Sequence, residues 1–176
     1  VLDEAYDEYL DDSLKSETFG WLNSYKNLIV SKSFSKAYGL AGLRIGYGVS
    51  SIELIELMNR VRQPFNVNHL AQIAATASLS DKDFIEESRC INKSGMKQLT
   101  DTFKMLNLEF IPSHGNFVSF KLEDEKTAMM YYHHLLNNGI IVRPIANYDL
   151  PEFLRVSIGL EHQNNAFIKY LSNCNI

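Results

Sequence analysis

Ser33-Phe34-Ser35-Lys36-Ala37-Tyr38-Gly39-Leu40-Ala41-Gly42-Leu43-Arg44 sets a lysine eight residues before an arginine across a loop of small residues. A lysine amine forms a Schiff base with a carbonyl. An arginine fork grips a phosphate through two parallel hydrogen bonds, and Ser33 and Ser35 add short hydroxyl donors beside both. The layout suits an aldehyde that also carries a phosphate. Taken bare it is equally a turn with two solvated cations, so the flanking sequence has to separate the two readings. Leu28-Ile29-Val30 reads as a short buried strand, and Leu43-Arg44-Ile45-Gly46-Tyr47-Gly48-Val49 as a second strand after the loop. Lys36 then lies at a strand end, where open α/β sheets hold their ligands.

Pyridoxal phosphate (PLP) joins a carbonyl to a phosphate in this way. The pattern Ser33-x-Ser35-Lys36-x-x-x-Leu40-Ala41-Gly42-x-Arg44-x-Gly46 resembles the PLP-lysine signature of the fold-type I aminotransferases. Val1-Leu2-Asp3-Glu4-Ala5-Tyr6 resembles the strand that in this family brings an aspartate and a tyrosine to the cofactor. The likeness narrows toward the histidinol-phosphate aminotransferase branch through Arg62-Gln63-Pro64-Phe65-Asn66-Val67-Asn68, Pro112-Ser113-x-Gly115-Asn116-Phe117, Gly139-Ile140-Ile141-Val142-Arg143-Pro144 and Leu154-Arg155-Val156-Ser157-Ile158-Gly159.

The resemblance implies a set of roles. Lys36 would carry PLP as a Schiff base and then move the proton at the substrate α-carbon. Asp3 would pair with the protonated pyridine nitrogen, Tyr6 would donate to the phenolic oxygen, and Ser33, Ser35 and Arg44 would hold the phosphate. Arg155 would take a substrate carboxylate, Arg143 a substrate phosphate, and Asn116 would lie near the substrate. Each has an ordinary alternative: a surface lysine, a turn-capping aspartate, a packing tyrosine, loop-shaping serines, a strand-edge or ion-paired arginine, a strand-end asparagine. Ala41 and Gly42 read as absences of bulk that let the chain pass close to the cofactor.

The implied activity is exchange of an amino group between L-histidinol phosphate and 2-oxoglutarate (in reverse, glutamate and imidazole acetol phosphate), in histidine biosynthesis. An aromatic amino-acid aminotransferase, a threonine-phosphate decarboxylase, or an inactive fragment of such an enzyme are the other readings. The chain opens on Val1 with strand character and family members are about twice as long, so it reads as a C-terminal half. The phosphate cup, a ring stacked on PLP and a partner-subunit tyrosine would precede Val1. The piece alone is expected to bind PLP weakly and to be inactive, and the full-length enzyme to be a homodimer.

Composition narrows the remaining classes. At 176 residues with 45% hydrophobic content the chain can bury a real core. A net charge of −4 gives no general electrostatic reason to bind nucleic acid or an anionic membrane. Cys90 and Cys174 lack zinc spacing and read as reduced thiols, and His69, His114, His133 and His134 form no metal pattern. No apolar run reaches the roughly 18 residues of a bilayer span, so the cytoplasm is the expected location.

The expected fold class is α/β: a fold-type I PLP-dependent transferase, with part of the large α/β domain and connecting helices over 1–82, then a small α+β C-terminal domain over 83–176. Helices are expected over Ile52–Arg62, stopped by Pro64; from Asn66, with Leu70, Ile73, Ala74 and Ala77 on one face; and after the caps Ser80 and Asp81, with Phe84, Ser88, Ile91, Gly95, Leu99, Phe103 and Leu106 in one stripe. Strands are expected at Glu109–Ile111, Asn116–Leu122, Ile140–Arg143 and Phe153–Ile158, with helices over Lys126–Asn138, closed by Gly139, and Glu161–Ser172.

Overall fold

The structure, a computed structural model, describes residues 1–174. Two compact units divide the chain, Val1–Arg89 and the stretch from Cys90 onward.

The first unit holds a three-stranded sheet of β1 (Leu2–Asp3), β2 (Val30–Ser33) and β3 (Gly46–Val49), in that order. β1 runs parallel to β2 with Asp3 opposite Ser31, and β3 antiparallel to β2 with Ser33 opposite Gly46. Side chains alternate along a strand, so Asp3, Ser31 and Ser33 share one face while Val30, Lys32 and Tyr47 share the other. Both strands sit later than the sequence suggests. Leu28 N–H is held by the Tyr25 carbonyl at 3.1 Å, which draws the start of that apolar run into a turn. Ala41–Leu43 wind into a 3-10 turn and Arg44 adopts φ 53°, ψ 55°, so the ladder starts only at Gly46. A Cβ at Gly46 would lie 2.7 Å from the Lys32 carbonyl oxygen, so glycine is what lets β3 approach β2 there. A Cβ at Gly42 meets no atom of this chain within 4 Å, which puts the tight backbone approach at Gly46.

Between these strands lies the short α1 (Thr18–Trp21), and after them α2 (Ile52–Val61) and α3 (His69–Ser78). Ser51 Oγ accepts from Leu54 N at 3.4 Å and Asn68 Oδ1 from Ala71 N at 2.8 Å, each satisfying an end donor of its helix. The buried face of α3 is Ala71 and Ala75, whereas Leu70 and Ile73 point outward, reversing the face expected from sequence.

Helix α4 (Lys82–Met105) starts in the first unit, with Asp81 Oδ1 accepting from Phe84 N, and continues into the second, where it buries Gly95, Leu99, Thr102 and Phe103. The second unit adds β4 (Phe110–Ile111), β5 (Phe117–Lys121), α5 (Glu125–Asn137), β6 (Arg143–Ile145), β7 (Leu150–Ser157) and α6 (Glu161–Ser172). Its sheet is antiparallel in the order β4-β5-β7-β6. Val118, Phe120, Leu154 and Val156 face a core completed by Leu99, Phe103, Leu135 and Phe167.

Arg143 opens β6, whereas the sequence suggested that it ends a strand from Ile140. The cause is the way α5 stops. Gly139 takes φ 77°, its N–H bonds to the Leu136 carbonyl at 3.0 Å, and Ile140 N–H reaches the Leu135 carbonyl at 2.9 Å. That is the paired closure of a helix C-terminus, and it occupies Ile140 before any strand can begin. Among the described residues no helix is long and apolar enough to cross a membrane.

Candidate active site

Residues 3 to 7 fold into two nested turns. Asp3 Oδ1 accepts from Ala5 N at 3.1 Å and from Ser31 Oγ at 3.2 Å, which fixes the carboxylate on the face it shares with Ser33. Asp7 N–H bonds to the Glu4 carbonyl at 3.1 Å and closes a turn over Ala5 and Tyr6. Tyr6, at φ −119° and ψ 7°, occupies its third position. The turn brings the Tyr6 ring to Lys36, whose Nζ lies 5.2 Å from the ring centroid, within the range of cation–π attraction.

The lysine loop is held from below. Phe34 and Ala37 are buried, and Phe34 packs on Tyr38 and Tyr47 with ring centroids 4.9 and 5.9 Å away. Gly39 N–H bonds to the Lys36 carbonyl and Leu40 N–H to the Phe34 carbonyl, both at 2.9 Å. Ser35 N–H donates to Ser33 Oγ at 3.0 Å, and Arg44 Nη1 donates to Ser35 Oγ at 3.4 Å and to the Ala41 carbonyl at 2.9 Å. In these bonds both serine oxygens accept, so their O–H groups stay available as donors beside the guanidinium. A left-handed φ at a non-glycine cation is backbone strain of the kind that concentrates at binding sites.

The sequence-named residues of this unit thus gather into two small sets: Tyr6 with Lys36, and Ser33, Ser35 and Arg44 in one hydrogen-bonded chain. Asp3 joins them through the common sheet face. The donor set suits a phosphate-bearing aldehyde: an amine for the carbonyl, a guanidinium with two hydroxyls for the phosphate, and a carboxylate for a protonated ring nitrogen.

Sequence reasoning passed over Ser31 and Lys32. On the opposite sheet face Lys32 Nζ lies 2.8 Å from Asp7 and 3.0 Å from Glu4, with side chains exposed by only 12, 22 and 13% respectively. Burial lowers the Lys32 pKa, but hydrogen bonds to Asp7 and Glu4 more than reverse this and raise it above the ordinary lysine value. The available signal was strand alternation, which puts Lys32 on the face away from Ser31 and Ser33.

Nearby, Glu8 Oε2 is buried without a hydrogen-bond partner among the described residues. Burial raises the Glu8 pKa above the ordinary carboxyl value, a backbone hydrogen bond and the Lys32 charge opposing it. The folded chain therefore binds this proton more tightly than the unfolded chain. Stability from this group is fully present below the ordinary glutamate pKa and declines as pH rises through the raised one. Glu8→Gln is expected to stabilise the protein at pH 7 and to change little at pH 4, as read from urea unfolding midpoints at the two pH values.

In the second unit Arg143 and Arg155 are Cα partners across β6 and β7, and Arg155 pairs on its other side with Ser119 of β5. All three lie on the sheet face turned away from the core. Arg155 sits over the Phe117 ring at 4.5 Å and Arg143 over the Tyr148 ring at 5.9 Å. Among the described residues neither forms an ion pair. Two like charges directly opposite each other are unfavourable, and an anion bound between them would offset that cost. The Asn116 carbonyl accepts from Ile158 N at 2.8 Å, continuing the β5–β7 ladder. Nothing local in the sequence signals the Arg143–Arg155 pairing, which depends on register.

The family model described as "Aminotransferase class I and II" matches residues 1–171. The chain is 56% identical over 171 residues to a histidinol-phosphate aminotransferase of Methylobacillus flagellatus, covering 97% of this chain and 46% of that enzyme. It is 52% identical over 172 residues to histidinol-phosphate aminotransferase 1 of Cupriavidus pinatubonensis, again covering 97% of this chain and 46% of that enzyme. Among solved structures, histidinol-phosphate aminotransferase from Sinorhizobium meliloti in complex with pyridoxal-5'-phosphate superposes with a TM-score of 0.86 at 28% identity, covering 97% of this chain and 46% of that one. The chain therefore spans about half the length of the curated relatives it matches.

Proposed function

We propose, on the premise that this chain belongs to the class I and II aminotransferase family, that it takes part in exchanging an amino group between L-histidinol phosphate and 2-oxoglutarate with pyridoxal phosphate as cofactor. The observation that carries the reading is the Lys36 amine set against the Tyr6 ring, at the head of the loop whose Ser33, Ser35 and Arg44 form one hydrogen-bonded chain. Residues 1–82 would belong to the large cofactor domain and 83–176 to the small one.

Bound pyridoxal phosphate supplies a carbonyl that condenses with amines and a protonated ring that draws off the electron pair left at the substrate α-carbon. Lys36 would hold the group through its amine, with loss of water, and once displaced by the substrate amine would take and return the proton of the α-carbon through Nζ. Asp3, anchored by Ala5 N and Ser31 Oγ, holds a negative charge for the ring nitrogen. Tyr6 donates a hydrogen bond to the phenolic oxygen. Ser33 and Ser35 donate their hydroxyl hydrogens to the phosphate, and Arg44 adds the charge.

Arg155 offers a fork to the carboxylate of glutamate, and Arg143, its cross-strand neighbour, a cation for the phosphate of histidinol phosphate. Asn116 is assigned to the substrate side. Arg155→Gln is expected to raise KM for glutamate about 100-fold while PLP binding, followed by absorbance, stays unchanged. A change of less than about twofold in KM would remove Arg155 from this role.

A homodimer in the intact enzyme is part of the proposal. Ile52, Val61, Phe65 and Leu70 on and between α2 and α3 are large apolar side chains 72 to 98% exposed. That supports a face covered by further protein.

Assay of the intact protein with histidinol phosphate, phenylalanine and threonine phosphate tests the substrate assignment. Glutamate formation with histidinol phosphate as the preferred donor supports it. Preference for phenylalanine, or carbon dioxide release from threonine phosphate, overturns it in favour of a different enzyme of this fold.

A further inference from the structure

Lys32 is a half-buried cation that the proposed chemistry leaves unused. It lies four residues before Lys36, on the same strand that leads into the loop, yet on the sheet face opposite Asp3 and Ser33. Its Nζ reaches Glu4 and Asp7 at 3.0 and 2.8 Å. These two residues are the first and last of the turn that carries Tyr6, the same turn that the Asp7 N–H to Glu4 carbonyl bond closes. One ammonium therefore grips both ends of a four-residue turn from behind, and the Phe19 ring, 5.8 Å from Nζ, helps to cover it. The strand pairing next to the turn is only two residues long, Leu2 with Val30 and Asp3 with Ser31. So short a ladder does little to fix the residues beyond Asp3; the Glu4 N–H to Ser31 carbonyl bond at 2.9 Å ties the start of the turn to β2, and the two ion pairs add a side-chain tie that also reaches its far end at Asp7. Ion pairs at this degree of enclosure are screened less than surface ones, and removing one partner leaves enclosed charges uncompensated.

We propose that Lys32 is a positioning residue which, by pairing with Glu4 and Asp7 on either side of Tyr6, fixes the Tyr6 ring against Lys36. The inference rests on the functional reading above for its consequence, but the clamp itself is a property of the polypeptide. Lys32 touches neither cofactor nor substrate. Its effect passes through the placement of Tyr6, whose hydrogen bond to the phenolic oxygen tunes the bound cofactor.

The test uses the intact protein with Lys32→Met, which keeps the stem and removes the charge, and Lys32→Arg, which keeps the charge. Hydrogen exchange is measured first on the cofactor-free protein. Lys32→Met is expected to speed exchange of the Tyr6, Asp7 and Tyr9 amides at least about tenfold, with the amides of β5 and β7 unmoved, and Lys32→Arg is expected to restore most of the protection. In the PLP-loaded protein, Lys32→Met is expected to shift the pH midpoint of the visible absorbance and to lower kcat about tenfold with KM for glutamate within about twofold.

Unchanged exchange over residues 5–9 overturns the clamp. Faster exchange with an unmoved absorbance midpoint and kcat reduces Lys32 to a structural role and also overturns the proposal. If Lys32→Met does not fold, the double variant Glu4→Gln/Asp7→Asn removes the same ion pairs and leaves one unpaired charge, on Lys32, in place of two, and the same readouts decide. Failure of the wild-type protein to bind PLP sinks the functional reading instead, and the exchange experiment tells the two failures apart.

Discussion

Replacing Lys36 by alanine in the intact protein is expected to lower amine transfer by about 10⁴-fold or more and to abolish the borohydride-fixed PLP adduct that wild-type protein should give on a Lys36 peptide. The size of the effect comes from the role. In the proposed role a single amine would both join the cofactor carbonyl and carry the α-proton, so its loss would remove two functions at once. Lys32 is the other lysine close enough in sequence to be suspected, but its Nζ is held by Glu4 and Asp7 on the far face of the sheet. Mass spectrometry of the reduced adduct checks the assignment. A label on Lys32, or near-normal turnover by Lys36→Ala, would overturn it.

Phe103→Ala is expected to destabilise the protein by about 3–5 kcal/mol, read from denaturant unfolding. Phe103 is fully buried on α4, with the rings of Phe120 at 4.9 Å, Phe110 at 6.0 Å and Phe167 at 6.3 Å. One truncation therefore strips contacts from a helix, two strands and a second helix at once. Phe103→Leu, which keeps most of the volume, should lose less than half as much. Equal losses for the two variants would mean that ring packing contributes little.

Several elements were readable from residue order because their causes are local. Asp81, one of the two caps expected from sequence, accepts from a backbone N–H three residues on, and Ser51, Asn68 and Asp124 prove to cap their helices in the same way. Gly139 marks a helix end because its left-handed φ suits glycine. Where prediction and structure part, the deciding contact comes from elsewhere in the chain or from a turn that periodicity does not register. The α3 face went to Ala71 and Ala75. The strand before Arg143 was shortened by the two hydrogen bonds that close α5. The strand after the lysine loop was shortened by a left-handed arginine.

The site divides along the same line. Residue order put Lys36, Arg44, Ser33 and Ser35 in one short loop, and the folded loop links three of them, Ser33, Ser35 and Arg44, in one hydrogen-bonded chain. The proposed chemistry came from the resemblance of the longer stretch to the PLP-lysine signature, since the bare spacing fits a turn with two solvated cations equally well. Folding was needed for everything that crosses between segments. It put the Tyr6 ring beside the Lys36 amine, tied Asp3 to Ser31, sent Lys32 to the opposite face with Glu4 and Asp7, and placed Arg143 directly across from Arg155. Strand register decides such pairings. A shift of one residue would turn each of these side chains to the other face, and no local pattern in the sequence specifies that register.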